Sequence, residues 1–290
     1  MKKEIIENTI DLHVHIGPDI MPRKYDLASL LKTEKGKIAG LAVKRHFLPA
    51  CGFDYGQPDL ILIESVTLNN SVGGFNADAV FASAAMTKNP LIVWFPTVHA
   101  EKFLKSQEYE VPLEWFGNQT DYVPRKAKDV KGMNIFDSDG GTKRDVIAVL
   151  EAIKETGSIL ATGHLTWQES AELIKTAKEI GIKKIIVTHP VCPGMIMPLE
   201  VQIEMAKLGA YIEECYTMYS IHKIPISEIA KQIRAIGVNQ FILSSDVGQV
   251  FSSSPSEALS EFGDLLMKEG ITEKELEIMM VENPRKIVQK

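Results

Sequence analysis

Cysteine is scarce in this chain of 290 residues. Cys51, Cys192 and Cys215 form no CxxC pair and are odd in number, which excludes a disulfide framework and fits reduced thiols, each a small buried hydrophobe. No apolar run reaches the ~18 residues needed to cross a bilayer, and the Met1-Lys2-Lys3-Glu4 start has no apolar core of a secretory signal. A cytoplasmic protein, not bound to a membrane, is therefore expected. The formal net charge is -6, and Lys and Arg are scattered without a stripe, which argues against a nucleic-acid partner. Neither GxGxxG nor a P-loop occurs, so no phosphate-cradling glycine loop is expected. A small-molecule substrate remains, and a homo-oligomer is left open.

What is present is a repeating alternation. Hydrophobic residues make up 45% of the chain, enough for a sizeable core. Runs rich in β-formers at 9–15, 38–44, 60–68, 91–97, 158–162, 184–188, 210–215 and 241–245 read as strands. Helical signals lie between most of them. A first helix is expected from Tyr25 to about Lys35, and Asn76 caps one running to about Lys88. Thr166 with Glu169 makes a capping box for a helix that Gly181 closes, Ser227 caps another, and Ser254-Pro255-Ser256-Glu257 opens a third. Eight strand signals with intervening helices predict one α/β domain over 1–290, a parallel (β/α)8 TIM barrel. Residues 100–142 interrupt the rhythm after the fourth strand. Their aromatics (Phe103, Tyr109, Trp115, Phe116, Tyr122) suit a lid, an oligomer contact or a self-packed decoration. A last helical stretch, 273–288, is expected to pack outside the main body.

The chemistry sits where the strands stop. His13 and His15 alternate along an extended strand and so share a face. His164, His189 and Asp246 end later strands, each just before polar residues and a helix. A lone strand-end histidine is usually structural. Four of the seven histidines at equivalent places, matched by an aspartate on the last strand, point instead to a metal, because imidazole and carboxylate are the donors that a Zn²⁺-type ion takes.

This constellation resembles the amidohydrolase superfamily of metal-dependent barrel enzymes. HxH on the first strand matches His13 and His15, single histidines on the fifth and sixth match His164 and His189, and the aspartate on the eighth matches Asp246. The closing Asn283-Pro284-Arg285-Lys286-Ile287 is also similar to that of many members. The resemblance implies a divalent transition metal, zinc for choice, as one or two ions. His13, His15 and Asp246 would hold one; His164 and His189 would hold a second or orient substrate. It further implies hydrolysis of a small amide, ester, lactone or phosphoester by metal-activated water, with Asp246 as general base and acid. A metal-dependent decarboxylase or other lyase is the alternative within the same architecture.

Two departures stand out. Binuclear members end the fourth strand with a carboxylated lysine or a glutamate, but 91–97 contains neither. Lys44, ending an apolar strand, is the favoured replacement bridge; Glu64, Glu213 and Glu214 are others, and a single metal removes the need. Lys44 also permits a metal-free Schiff-base enzyme. Where dihydroorotase-like members carry a carboxylate-binding arginine, this chain has Gly17. Arg23, otherwise a solvent-facing residue ahead of a helix, is then a candidate for an anionic substrate, with His46, His99 and Glu213 as further candidate substrate contacts. His222 is given no role.

Overall fold

The structure, a computed structural model, describes residues 1–56, 59–106 and 129–289. Each apolar run contains a strand shorter than itself, since pairing stops where the backbone turns outward. These are β1 (Ile10–His15), β2 (Gly40–Lys44), β3 (Ile61–Ile63), β4 (Ser65–Thr67), β5 (Ile92–Trp94), β6 (Ile159–Ala161), β7 (Ile185–Thr188), β8 (Tyr211–Cys215) and β9 (Phe241–Ser244). Neighbours pair in parallel in the orders β1-β2-β3 and β4-β5-β6-β7-β8-β9. The last strand returns to the first: Asp246 N donates to His13 O and His15 N to Val247 O, both at 2.8 Å. This is a (β/α)8 barrel.

The run predicted as one strand over 60–68 is split at Glu64. Ala50 exchanges backbone hydrogen bonds of 2.8 and 3.1 Å with Ser65, which occupies the groups that would have continued the ladder to β2. The hydroxyls of Ser65 and Thr67 restore the link by donating to Val43 O and Arg45 O, each at 2.7 Å.

In β1 the register slips between Asp11 and Val14. Leu12 packs inside the barrel with Ile10, Ile63, Trp94 and Ile242, whereas Val14 and Ile16 pack outside with Leu30 and Leu41. The bulge hands the inward side to His13 and His15 directly above Leu12. Helices cover the outer faces, as buried parallel strands require. The predicted boxes form around Thr166 and Glu169 and around Ser254 and Glu257, opening Trp167–Ile180 and Pro255–Lys268. Ser227 is not a cap: its helix is Ile226–Ile236, and Pro225 occupies the cap position.

The C-terminal stretch corrects an expectation. It runs as Glu273–Glu277, a π-helical turn Ile278–Glu282 and Asn283–Val288, and it plugs the N-terminal end of the barrel. Ile287 joins the interior cluster, and Asn283 Nδ2 donates to Val238 O at 2.7 Å and Phe241 O at 2.8 Å. Leu276, Met279 and Met280 are fully buried in the outer cluster with Leu259, Phe262 and Leu266, so the earlier part of the stretch is covered by the helical layer and only its end reaches the floor.

Of the insertion, 107–128 lie outside the described residues, and the expected lid with Tyr109, Trp115, Phe116 and Tyr122 lies there. Its flanks join beside the exit of β5, where Met133 N donates to His99 O and Glu101 N to Met133 O, both at 2.8 Å. Among the described residues, no helix is long and apolar enough to cross a membrane.

Candidate metal centre

His13, His15 and Asp246 converge at the C-terminal mouth. Both Nε2 atoms face the same carboxylate oxygen, His13 at 3.1 Å and His15 at 3.0 Å from Asp246 Oδ1. The other oxygen, Oδ2, accepts from Thr217 Oγ1 at 2.6 Å, which fixes the rotation of the carboxylate. Asp246 (φ 55) and His189 (φ 24) both lie at positive φ, a strained backbone that turns a strand-end side chain inward. Burial opposes the Asp246 charge, but His13, His15 and His189 outweigh it and hold the carboxyl well below the usual range. Burial first, then the charge of Arg23, drives the His15 imidazole well below its ordinary value, so it is a neutral donor.

The residues fit a divalent cation. Two imidazole nitrogens and a carboxylate oxygen can all address one point, and the ligand atoms lie within 4.8 Å of one another. Nδ1 of the buried His15 and His189, and of His164, has no hydrogen-bond partner among the described residues. His164 and His189 stand beside the triad, their rings 5.2 Å apart and His189 stacked 5.9 Å from His13. Burial lowers His189 to about 4 and His164 well below its ordinary value, leaving both neutral. All five strand-end residues thus come together, with His164 and His189 outside the tight three-residue group.

Two further residues bracket His13. Lys44 Nζ lies 3.0 Å from His13 Nε2 and 4.0 Å from the centre of the Trp94 ring, fully buried; burial lowers its pKa to about 8 against the pull of Asp246 and Glu213. Glu213, expected as a substrate contact, is instead sealed behind His13. Its Oε2 is 3.3 Å from His13 Nδ1, and its Oε1 accepts from Ser244 Oγ at 2.8 Å. The strand places it on the floor beneath the imidazole, where it can hold the proton on Nδ1 and leave Nε2 free to bind a metal. Glu64 and Glu214 are also buried, but neither is among the residues grouped with His13.

His46 joins the mouth: its ring is 4.6 Å from that of His15, and its Nδ1 is 2.8 Å from Thr97 Oγ1. His99 stands at the rim with its ring 5.6 Å from Phe47. Asn69 ties this wall together, donating to His46 O and Thr97 Oγ1 and accepting from Thr97 N. Arg23, expected to face solvent, is half-buried, because its loop folds over the exit of β9. Reasoning from titratable residues alone missed Thr217, Trp94 and the Asn69 wall. A signal for two of the close approaches was available in glycine. A Cβ on Gly163 would lie 2.2 Å from Phe95 O and one on Gly248 2.2 Å from His15 O, so only glycine admits the chain beside His164 and Asp246.

The fold has solved counterparts. The phosphotriesterase homology protein from Escherichia coli, complexed with phosphate in its active site, is 16% identical over 97% of this chain and 99% of its own, with a TM-score of 0.52. An amidohydrolase from Pseudomonas aeruginosa is 11% identical over 98% and 97%, with a TM-score of 0.53. A Xaa-Pro dipeptidase with bound methionine is 14% identical over 97% of this chain and 75% of its own, with a TM-score of 0.53. These likenesses show the fold, a (β/α)8 barrel. Within it, the chain belongs to the family of unknown function DUF6282, whose model matches residues 8–213. No curated protein matches it in sequence.

Proposed function

We propose that the protein is a metal-dependent hydrolase of a small amide, ester, lactone or phosphoester, with Asp246 moving the proton. The observation that carries this reading is the convergence of two imidazole nitrogens, those of His13 and His15, on one oxygen of an ionised, buried carboxylate. A divalent ion bound there, zinc for choice and one or two in number, would polarise the scissile group and make water acidic enough to attack near neutral pH. His13 and His15 would hold it. Thr217 keeps Asp246 Oδ2 occupied, so Oδ1 alone is presented to the mouth for proton transfer. His164 and His189, neutral and with unpartnered Nδ1 atoms, suit a second ion or a polar substrate atom. Lys44, whose Nζ lies 3.0 Å from His13 Nε2, is the candidate for a bridging role. The names of the structural neighbours, a phosphotriesterase homologue, an amidohydrolase and a dipeptidase, support the hydrolase reading.

One observation favours a second reading. A buried amine lowered to about 8 and set against Trp94 is suited to attack a carbonyl carbon, so Lys44 would serve a metal-free Schiff-base enzyme.

Elemental analysis of protein purified without added metal, beside a His13→Ala, His15→Ala double variant, separates the two. The hydrolase reading expects one or two transition-metal ions per chain, lost in the double variant. It also expects an Asp246→Asn protein that folds and loses at least ~10³-fold in turnover. Full turnover without metal would overturn it. Trapping of a carbonyl compound on Lys44 by borohydride would then establish the alternative.

A further inference from the structure

We infer that the substrate carries an oxyanion, a carboxylate or a phosphoryl group, and that Arg23 receives it. For the chemistry that follows binding, this rests on the hydrolase reading; the binding itself does not need that reading.

The loop after β1 is pinned across the mouth by its backbone. Gly17 N donates to Tyr25 O at 2.7 Å, Lys24 N donates to Gly248 O at 2.9 Å, and Arg23 bridges to Gln249. Arg23 is therefore anchored beside the exit of β9, within electrostatic reach of Asp246 and His15. Its guanidinium is uncommitted. Nε is inaccessible to solvent and has no partner among the described residues, where the one side-chain hydrogen bond made by the group is from Nη2 to Met21 Sδ at 3.6 Å.

The two carboxylates that feel its charge are otherwise engaged. Asp19 accepts from Ile20 N at 2.9 Å and His46 N at 2.8 Å, which ties the loop to the exit of β2. Asp246 faces His13, His15 and Thr217. Neither forms a salt bridge with Arg23 among the described residues.

A half-buried guanidinium whose inaccessible Nε donor is unpaired is disfavoured unless something completes it. Its planar fork matches the two oxygens of a carboxylate or phosphate. Placed a short way from the proton-transferring carboxylate, it can fix one end of a small substrate while the scissile bond lies over Asp246.

The test is calorimetric titration of the purified, metal-containing protein with inorganic phosphate and, separately, with acetate. Wild type, Arg23→Gln and Arg23→Lys are compared, and the metal content of each is measured. The expected result is binding of at least one anion, weakened at least ~10-fold in Arg23→Gln and partly restored in Arg23→Lys, with metal content unchanged. A preference for phosphate assigns a phosphoryl group, and a preference for acetate assigns a carboxylate. Equal affinity in wild type and Arg23→Gln, as for an anion held by the cation alone, would overturn the inference. So would failure of the wild type to bind either anion. Arg23-dependent binding in a protein that contains no metal would leave this inference standing while the hydrolase reading failed.

Discussion

At the N-terminal end of the barrel, Ile10, Ile242 and Ile287 close an apolar floor, and the amide of Asn283 is satisfied by two backbone carbonyls. At the C-terminal end, a few residues along the same strands, Lys44, His13, His15 and Glu213 are just as deeply buried, and the Nδ1 atoms of His15, His164 and His189 have no partner among the described residues. The difference shows how the chain tolerates an unfavourable mouth. Apolar burial below supplies stability, while buried polar groups above are held close together at a cost that a bound cation or substrate would offset.

The sharpest way to break that division is at the floor. Ile287→Ala should destabilise the fold by about 2–5 kcal/mol through a cavity that a sealed floor cannot collapse. Metal content per folded chain should stay unchanged. Denaturant unfolding with elemental analysis checks this, and loss of metal at full stability would show that the two ends are not separable.

Glu213 lies where the two ends meet, so its replacement sharpens the boundary. Glu213→Gln keeps the shape but lowers the basicity behind His13. It should weaken metal binding by about 10- to 100-fold with little change in melting temperature. Competition with a chelator measures it, and an unchanged affinity would reduce Glu213 to a packing role.

The smallest effect is expected at Glu214, which is fully buried on β8 next to Glu213 and is not among the residues grouped with His13. Burial raises its pKa well above the ordinary value of 4.5, so the folded protein favours the neutral acid. A raised folded-state pKa means that stability is fully present below the unfolded value and is lost as pH rises through the folded one. Glu214→Gln should therefore match wild type near pH 4 and become the more stable protein as pH rises. Parallel stability curves would refute a protonated Glu214.

The strand ends were legible because a buried parallel strand must be a continuous apolar run, so the residue at which apolarity stops marks the mouth. That placed His13, His15, His164, His189 and Asp246 there. Lys44 stood out for the same reason, as a charge at the end of β2. The third strand read as continuous because nothing in 60–68 signals that Ala50 will take the backbone of Ser65. The C-terminal stretch was placed outside because an amphipathic face is equally consistent with a barrel wall or a barrel floor. That Glu213 lies behind His13 was not legible, since alternation sets the face a side chain occupies but not its height along the barrel.

By itself, the sequence determined the alternation of strands and helices, the parallel barrel and the residue types at its mouth, because these depend on local periodicity and caps. Only the tertiary structure decided the rest. It slipped β1 by a bulge so that His13 and His15 face inward above Leu12, and it turned Asp246 back at positive φ onto both. It also put Glu213 behind His13 and left Arg23 without a salt bridge among the described residues. These are relations between residues as many as 233 positions apart, from His13 to Asp246, set by closure of the barrel rather than by any local pattern.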